Sequence, residues 1–371
     1  MGYRISRRNF LKAAALGAGI LFSNKNITSY ADNLAELGNF PDAKFIGRNC
    51  SSGIMNFRVS PSSTADINKE VYEDFLFPIY REVIGENVPG TYISKWYETP
   101  YGYVFSPAVQ IVKNEPNEVV SELPDSSMGK GFWAEITVPY VSLSFPDKEN
   151  LKSPWYKAIS ERTPRAYYSQ IFWINDIKQS GDGTTLYKLD ELVGSYSDVV
   201  YADGRALRPL TTEDLNPIHP DVQDKRIYVD LTYQTITCYE NNQEAYFCRT
   251  SSGAVYNSDG VAVDSWATPS GKHYIFRKSI SYHMSGQLQS SGWDTPGVPW
   301  TTMFHEEGAS IHGVFWHNSF GQPHSHGCLN CTPEDAKWIF RWTNPQVLLD
   351  PGDLTIQGNS GTMIEVGYGE G

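Results

Sequence analysis

From Tyr92 onward the chain is written in short runs of aromatic and β-branched residues broken by turn residues. Trp96-Tyr97, Tyr101-Gly102-Tyr103-Val104 and Val109-Gln110-Ile111-Val112 follow one another, and Phe132 to Val138 alternates as a half-buried strand does. Tyr167 to Ile174 and Leu186 to Leu192 read as two strands around the turn Ser180-Gly181-Asp182-Gly183. That turn lacks the ligand spacing of a calcium loop and reads as a plain turn. The pattern predicts a mainly β protein. One stretch departs from it: Asn68 to Val83 carries apolar or aromatic residues at 72, 75, 76, 79, 80 and 83, the spacing of a helix.

The N-terminus reads Ser6-Arg7-Arg8-Asn9-Phe10-Leu11-Lys12, then an apolar run from Ala13 to Phe22. A basic start with a short apolar core is an export-signal pattern, shorter than the usual membrane span; an uncleaved N-terminal anchor is the alternative. The paired arginines resemble a twin-arginine signal. Ser29 and Ala31 supply the small residues for cleavage after Ala31, so 1–31 is expected to be removed on export. Those residues hold five bases and no acid; without them 25 Lys and Arg face 42 Asp and Glu, a net charge of −17. Such an acidic chain does not track a phosphate backbone, which argues against nucleic acid as a partner. Residues 32–69, rich in Asn, Ser, Asp and Gly, read as a linker. Residues 70–215 are expected to form a β-rich N-terminal domain, and Ala206 to Asp221, with three prolines, reads as the connection into a further domain from about residue 222.

That last third holds the chemistry. His312 stands sixteen residues ahead of Cys328, and Cys328 closes the sequence Ser325-His326-Gly327-Cys328. A cysteine attacks carbonyls as the thiolate and needs a base or a positive group in reach to lower its pKa. His312 can supply that if the intervening loop folds back. Gly327 permits backbone angles that most residues avoid. The N–H groups of Gly327 and Cys328 are candidates for an oxyanion site. Ser285 to Phe304, rich in Gly, Pro and Ser and carrying Trp293 and Trp300, is expected to be a long loop covering the site.

These residues resemble the L,D-transpeptidase family, whose catalytic domain is also called YkuD. Arg226 to Leu231 with Gln234 and Tyr239 resembles its opening hairpin. Ser252-Gly253, Thr268-Pro269-Ser270-Gly271 and Met284-Ser285-Gly286 resemble its next motifs. His312-Gly313, Ser325 to Asn330 and then Asp335-Ala336 complete the order over about 222–358. The resemblance implies a YkuD-type β-sandwich with a short helix after the nucleophile. It makes Cys328 the nucleophile and His312 its base, with Gly313 orienting the histidine. Ser325, His326 and Gly327 would shape the nucleophile loop, and Met284, Trp293, Trp300 and Asn330 would meet the substrate. Many relatives carry arginine where this chain has Asn330. The implied substrate is a peptidoglycan stem tetrapeptide, with no cofactor and no metal; an amine acceptor gives transpeptidation and water gives carboxypeptidation. The β-rich region before it loosely resembles SH3-like barrels of cell-wall proteins, which implies wall contact. A non-catalytic wall-binding protein is the reading that an intact Cys328 and His312 oppose.

Five cysteines leave at least one free thiol in an exported chain. With Asn241-Asn242 as a two-residue hairpin turn, Cys238 is expected to face Ala245 and Cys248 the opposite side. Cys328-Leu329-Asn330-Cys331 is either a redox pair or a nucleophile beside an inert core thiol. Thr332 suits a helix N-cap and Pro333 the first helical position, so a helix is predicted from 333. His317, His324, His326, Cys328 and Cys331 together also pose the question of zinc, though their spacing is cramped for one tetrahedral ion.

Overall fold

The computed structural model describes residues 45–254, 266–286 and 293–369; the expected export signal over 1–31 lies outside them. The chain divides into two compact units, Met1–Gly90 with Ser94–Asn114, and Thr91–Ile93 with Glu115–Gly371. Among the described residues the two helices are Pro154–Ser160 and Pro333–Trp342, and the remainder is strand, turn and short 3-10 segments. None is long and apolar enough to cross a membrane.

The first unit corrects two expectations. Within 32–69, strands Phe45–Asn49 and Met55–Arg58 occupy what was read as linker. The helix expected over 68–83 is instead the strands Ile67–Val71, Leu76–Ile79 and Arg81–Ile84. Pro78 has no N–H to give a helix ladder, and Asp74 holds φ +63°. Asp74 is tied down by a buried 2.6 Å pair with Arg48. Phe57, Phe77, Tyr97 and Val104 form the core between a three-stranded and a five-stranded antiparallel sheet.

Against the expectation of one domain over 70–215, residues 115–215 fall in the second unit and share a core with the C-terminal region. Seven antiparallel strands run in the order Arg165–Tyr167, Tyr140–Ser144, Val200–Asp203, Thr185–Asp190, Ile171–Gln179, Phe132–Ile136 and Leu207–Pro209. The strands predicted on either side of Ser180 to Gly183 are there. Phe132–Ile136 is buried on both faces rather than one. Phe132 packs edge-on to Tyr187, while Trp133 enters the core of the C-terminal region and donates its indole N–H to Pro351 O at 3.1 Å.

The C-terminal region is two five-stranded sheets with Ile227, Val229, Ile236 and Ile364 of one and Ile280, Trp300, Ile311 and Leu329 of the other in one core. In the first, Lys225–Asp230 pairs antiparallel with Thr235–Glu240 and parallel with Met363–Gly367. The region therefore continues past residue 358, because the strand at 363–367 is internal to its sheet. The second sheet runs Leu329–Cys331, Ser310–Gly313, Trp293–Met303, Arg277–Gly286, Asp353–Thr355.

The hairpin turn at Asn241-Asn242 forms, with both residues at positive φ. A bulge after Cys238 shifts its register, so Cys238 pairs with Tyr246 and Ile236 with Cys248. Cys238 and Cys248 thereby share one face, against the expectation of opposite faces. Both are buried, and all five cysteines are free thiols.

Candidate active site

The site is built on two neighbouring strands. Ser310–Gly313 and Leu329–Cys331 run parallel, with His312 opposite Asn330. Along the first, Ile311 turns into the core, so Ser310 and His312 share the other face. Along the second, Leu329 and Cys331 turn into the core, which leaves Cys328 on the side of His312. Gly313 permits this packing: a Cβ there would come within 3.0 Å of Pro299 and of Pro333.

His312 Nδ1 meets the carbonyl of Gly313 at 3.1 Å. That bond places a proton on Nδ1 and leaves Nε2 for the thiol of Cys328. Ser310 Oγ lies 3.5 Å from Cys328 Sγ. Burial would push the thiol up, but the hydrogen bond and charge of His312 and the bonds from Ser310 outweigh it and hold Cys328 below its ordinary value. Cys328 itself is partly exposed. A lowered thiol with an imidazole and a hydroxyl in reach, open on one side, is equipped for attack on a carbonyl.

The loop before Cys328 is fixed by its neighbours. Ser325 Oγ donates to Cys328 O at 2.5 Å and accepts from Gly327 N–H at 3.1 Å. The Gly327 amide, expected to face an oxyanion, is therefore engaged by Ser325. Gly327 holds φ +119°, the left-handed region that favours glycine, whereas a Cβ there would find only contacts of 3.8 Å. Its need is conformational, not steric. Ser252 O accepts from the N–H groups of His324 and Ser325 at 2.9 and 3.0 Å. Gln234, at φ +55°, holds Ser252 in turn through 2.8 Å bonds to its N–H and its hydroxyl. Gly253 admits the carbonyl of Trp266, which would lie 1.8 Å from a Cβ.

His326 is exposed on one side, with Trp293 stacked on it at 4.6 Å and 25° and Trp266 edge-on at 4.2 Å. The expected covering loop is mostly strand: Trp293–Met303 pairs with Arg277–Gly286, and residues 287–292 lie outside the described residues. Trp300 is a core residue, fully buried and packed edge-on to Phe340 at 5.4 Å. Met284 is half-buried on the fourth strand of the sheet, opposite Thr295.

Asn330 is buried behind the site, 2.8 Å from His317 Nε2. His317 Nδ1 accepts from Ser319 N–H at 3.0 Å. Burial, with His324 and His312 nearby, keeps His317 neutral at physiological pH. Its single proton is then on Nε2, which faces Asn330 Nδ2 while Oδ1 has no partner, so the amide is assigned turned about, with its oxygen receiving that proton. Cys331 lies in the core, with its Sγ 3.9 Å from Thr250 Oγ1. It hydrogen-bonds Cys248, whose thiol is pushed well up by that bond and by burial. Of the histidines and cysteines that raised the question of zinc, His317 and His324 meet ring to ring at 4.4 Å; no group of three or more His, Cys, Asp or Glu that could hold a metal ion is found among the described residues. The predicted helix begins at Pro333, with Thr332 Oγ1 accepting from Asp335 N–H at 3.1 Å.

Ser310 was not singled out from sequence; the signal was a hydroxyl two residues before His312 on a strand, hence on the same face. His283 is a second omission, treated below.

Among solved structures, a mutant Enterococcus faecium L,D-transpeptidase is similar at 22% identity over 40% of this chain and 52% of its own, TM-score 0.30. The L,D-transpeptidase of Stackebrandtia nassauensis is similar at 20% identity over 43% and 61%, TM-score 0.27. That of Mycobacterium smegmatis is similar at 14% identity over 52% and 99%, TM-score 0.31. This chain thus spans about half to three fifths of the first two. No curated protein matches it. Residues 224–366, which hold Ser310, His312 and Cys328, match the family model of YkuD, described as the L,D-transpeptidase catalytic domain.

Proposed function

We propose that this protein is an exported cysteine L,D-transpeptidase of the cell wall. The observation that carries the reading is the meeting of Cys328, in the bend that leads into Leu329–Cys331, with His312 and Ser310 of the neighbouring strand. The Arg7-Arg8 signal pattern supports export by the twin-arginine route. The Cys328 thiol passes its proton to His312 Nε2, and the thiolate attacks the carbonyl of the third residue, at its L-centre, in a peptidoglycan stem tetrapeptide. The carbonyl π electrons move to oxygen and then return as the C–N bond to D-alanine breaks. His312 Nε2–H delivers its proton to the departing amine. The acyl thioester is then taken by the amine of a neighbouring stem, whose proton His312 accepts, and Cys328 is restored. Water in place of that amine yields the carboxypeptidase product. The small β-sheet unit at 45–114 is proposed to hold the enzyme at the wall.

Intact-protein mass spectrometry after incubation with a tetrapeptide stem, and separately with a carbapenem, tests this. The expected result is an adduct of the tetrapeptide less D-alanine, and one carbapenem adduct, both absent in Cys328→Ala. Adducts that persist in Cys328→Ala would move the nucleophile elsewhere. No adduct with either reagent on folded protein would favour a non-catalytic wall-binding role. Product analysis with and without an amine separates transfer from hydrolysis.

A further inference from the structure

His283 is buried between two carboxylates, with Nδ1 2.6 Å from Glu191 Oε2 and Nε2 2.7 Å from Asp294 Oδ1. A neutral imidazole has one N–H and would turn a lone pair toward one of these anions; only the imidazolium satisfies both. The remaining carboxylate oxygens are also occupied. Glu191 Oε1 accepts from Gly297 N–H at 2.5 Å, and Asp294 Oδ2 accepts from Ser153 Oγ at 2.6 Å and Trp155 N–H at 2.8 Å. The loop after Glu191 wraps His283 closely. Val193 O accepts from His283 N–H at 3.1 Å, and a Cβ on Gly194 would lie 2.6 Å from His283 O.

The cluster fastens the long hairpin Arg277–Gly286 and Trp293–Met303 to the seven-stranded sheet region. A buried ionic triad is a costly way to fasten strands if stability alone is at stake, since apolar packing does as well. What it fixes is geometry. Asp294 is buried, so its neighbour Trp293 is on the other side of the strand. There the indole lies across Gly286, 2.4 Å from where a Cβ would stand, and stacks on His326, two residues before Cys328.

We propose that Glu191, His283 and Asp294 are positioning residues that hold Trp293 against His326, and that this aromatic wall beside Cys328 aligns the acyl donor. The second half rests on the transpeptidase reading; the first does not. Burial alone would push His283 down, but its bonds to Asp294 and Glu191 and their charges raise it to about 9. The other ionisable groups around the cluster are Asp190, Asp198, Tyr156 and Tyr196. Tyr156 is pushed well up by burial and the surrounding carboxylates. Raised above its ordinary value of 6.5, His283 contributes its ionic bonds fully below that value and loses them as pH rises through about 9.

The test labels the full chain with 5-fluorotryptophan and assigns the Trp293 resonance with Trp293→Phe. The expected result is that the Trp293 signal moves in His283→Gln, and in wild type as pH passes about 9. With the tetrapeptide stem, KM rises about tenfold in His283→Gln while kcat stays within about twofold, and iodoacetamide still alkylates Cys328 at the wild-type rate. A Trp293 resonance unmoved by either perturbation overturns the positioning role, whether or not the protein turns over a stem peptide. If His283→Gln does not fold, the wild-type pH series decides alone. Equal losses in kcat and alkylation with KM unchanged would also overturn it, since His283 would then act on the thiol. A wild type that responds in the spectrum but releases no D-alanine sinks the alignment role and the transpeptidase reading together and leaves the Trp293 clamp standing.

Discussion

Ser310 Oγ stands 3.5 Å from Cys328 Sγ, on the same strand face as His312. The hydroxyl and the backbone of Ser310 thus share with the imidazole the task of holding the thiol below its ordinary value.

The two contributions separate in a pH profile of iodoacetamide alkylation. For a thiol held low, the rate is full above the depressed pKa and falls as pH drops through it. Ser310→Ala should move the profile upward and slow alkylation at pH 7 about three- to tenfold, the scale of one ordinary hydrogen bond. His312→Ala should move it further, with acylation by a carbapenem down about a hundredfold or more. A Ser310→Ala profile that overlays the wild type would remove Ser310 from the site.

Gly327→Ala probes backbone conformation rather than space. The open surroundings of its Cβ position predict no clash, but φ +119° predicts strain of about 1–3 kcal/mol. The melting temperature should fall, and acylation should fall with it as the Ser325 bonds to Gly327 and Cys328 are disturbed. Thermal melts and acylation rates unchanged from wild type would show that the loop relaxes without cost.

Cys331 should be inert toward Cys328. It turns into the core with Leu329, whereas Cys328 is on the other side. Wild type is expected to remain active across a thiol-redox titration, with Cys328 still alkylatable under oxidising conditions. Cys331→Ser should instead lower stability by about 1–3 kcal/mol, because a shorter, more strongly hydrated hydroxyl replaces a buried thiol spaced at sulfur distances from its partners. Loss of wild-type activity on oxidation, restored by reductant and absent in Cys331→Ser, would establish the redox pair.

Trp300 should report folding and Trp293 the site. Trp300→Ala removes a fully buried ring and is expected to cost about 3–5 kcal/mol in chemical denaturation. Trp293→Phe should leave stability nearly unchanged and diminish the fluorescence response to a carbapenem. A Trp300→Ala protein as stable as wild type would contradict the core placement.

The reach of the sequence tracks how local each determinant is. The helix at 333 was legible because Thr332, Pro333 and Asp335 set its start within four residues. The hairpin at Asn241-Asn242 was legible for the same reason, but the bulge after Cys238 was not, because no residue there announces an extra one in the strand. The apolar spacing over 68–83 suggested a helix. Strand pairing prevailed because Leu76–Ile79 finds Phe45–Asn49 far away in sequence, and long-range pairing leaves no local trace. In the site, His312 and Cys328 were legible from spacing and chemistry. The engagement of the Gly327 amide by Ser325 depends on a side-chain rotation that sequence does not encode. His283 was missed because Glu191 and Asp294 come to it from separate elements.

Trp133, Ile171, Trp173, Leu210 and Leu215 belong to the same hydrophobic cluster as Ile280, Trp300 and Phe340. A protein cut at residue 222 would therefore bare an aromatic-lined face that water now never meets, and it should aggregate rather than act. The YkuD region of this chain is not a cassette to be lifted out and joined to another leader. Any substitution at Trp133 or Trp173 has to be tolerated by the YkuD region as well, because both rings sit in the cluster they share.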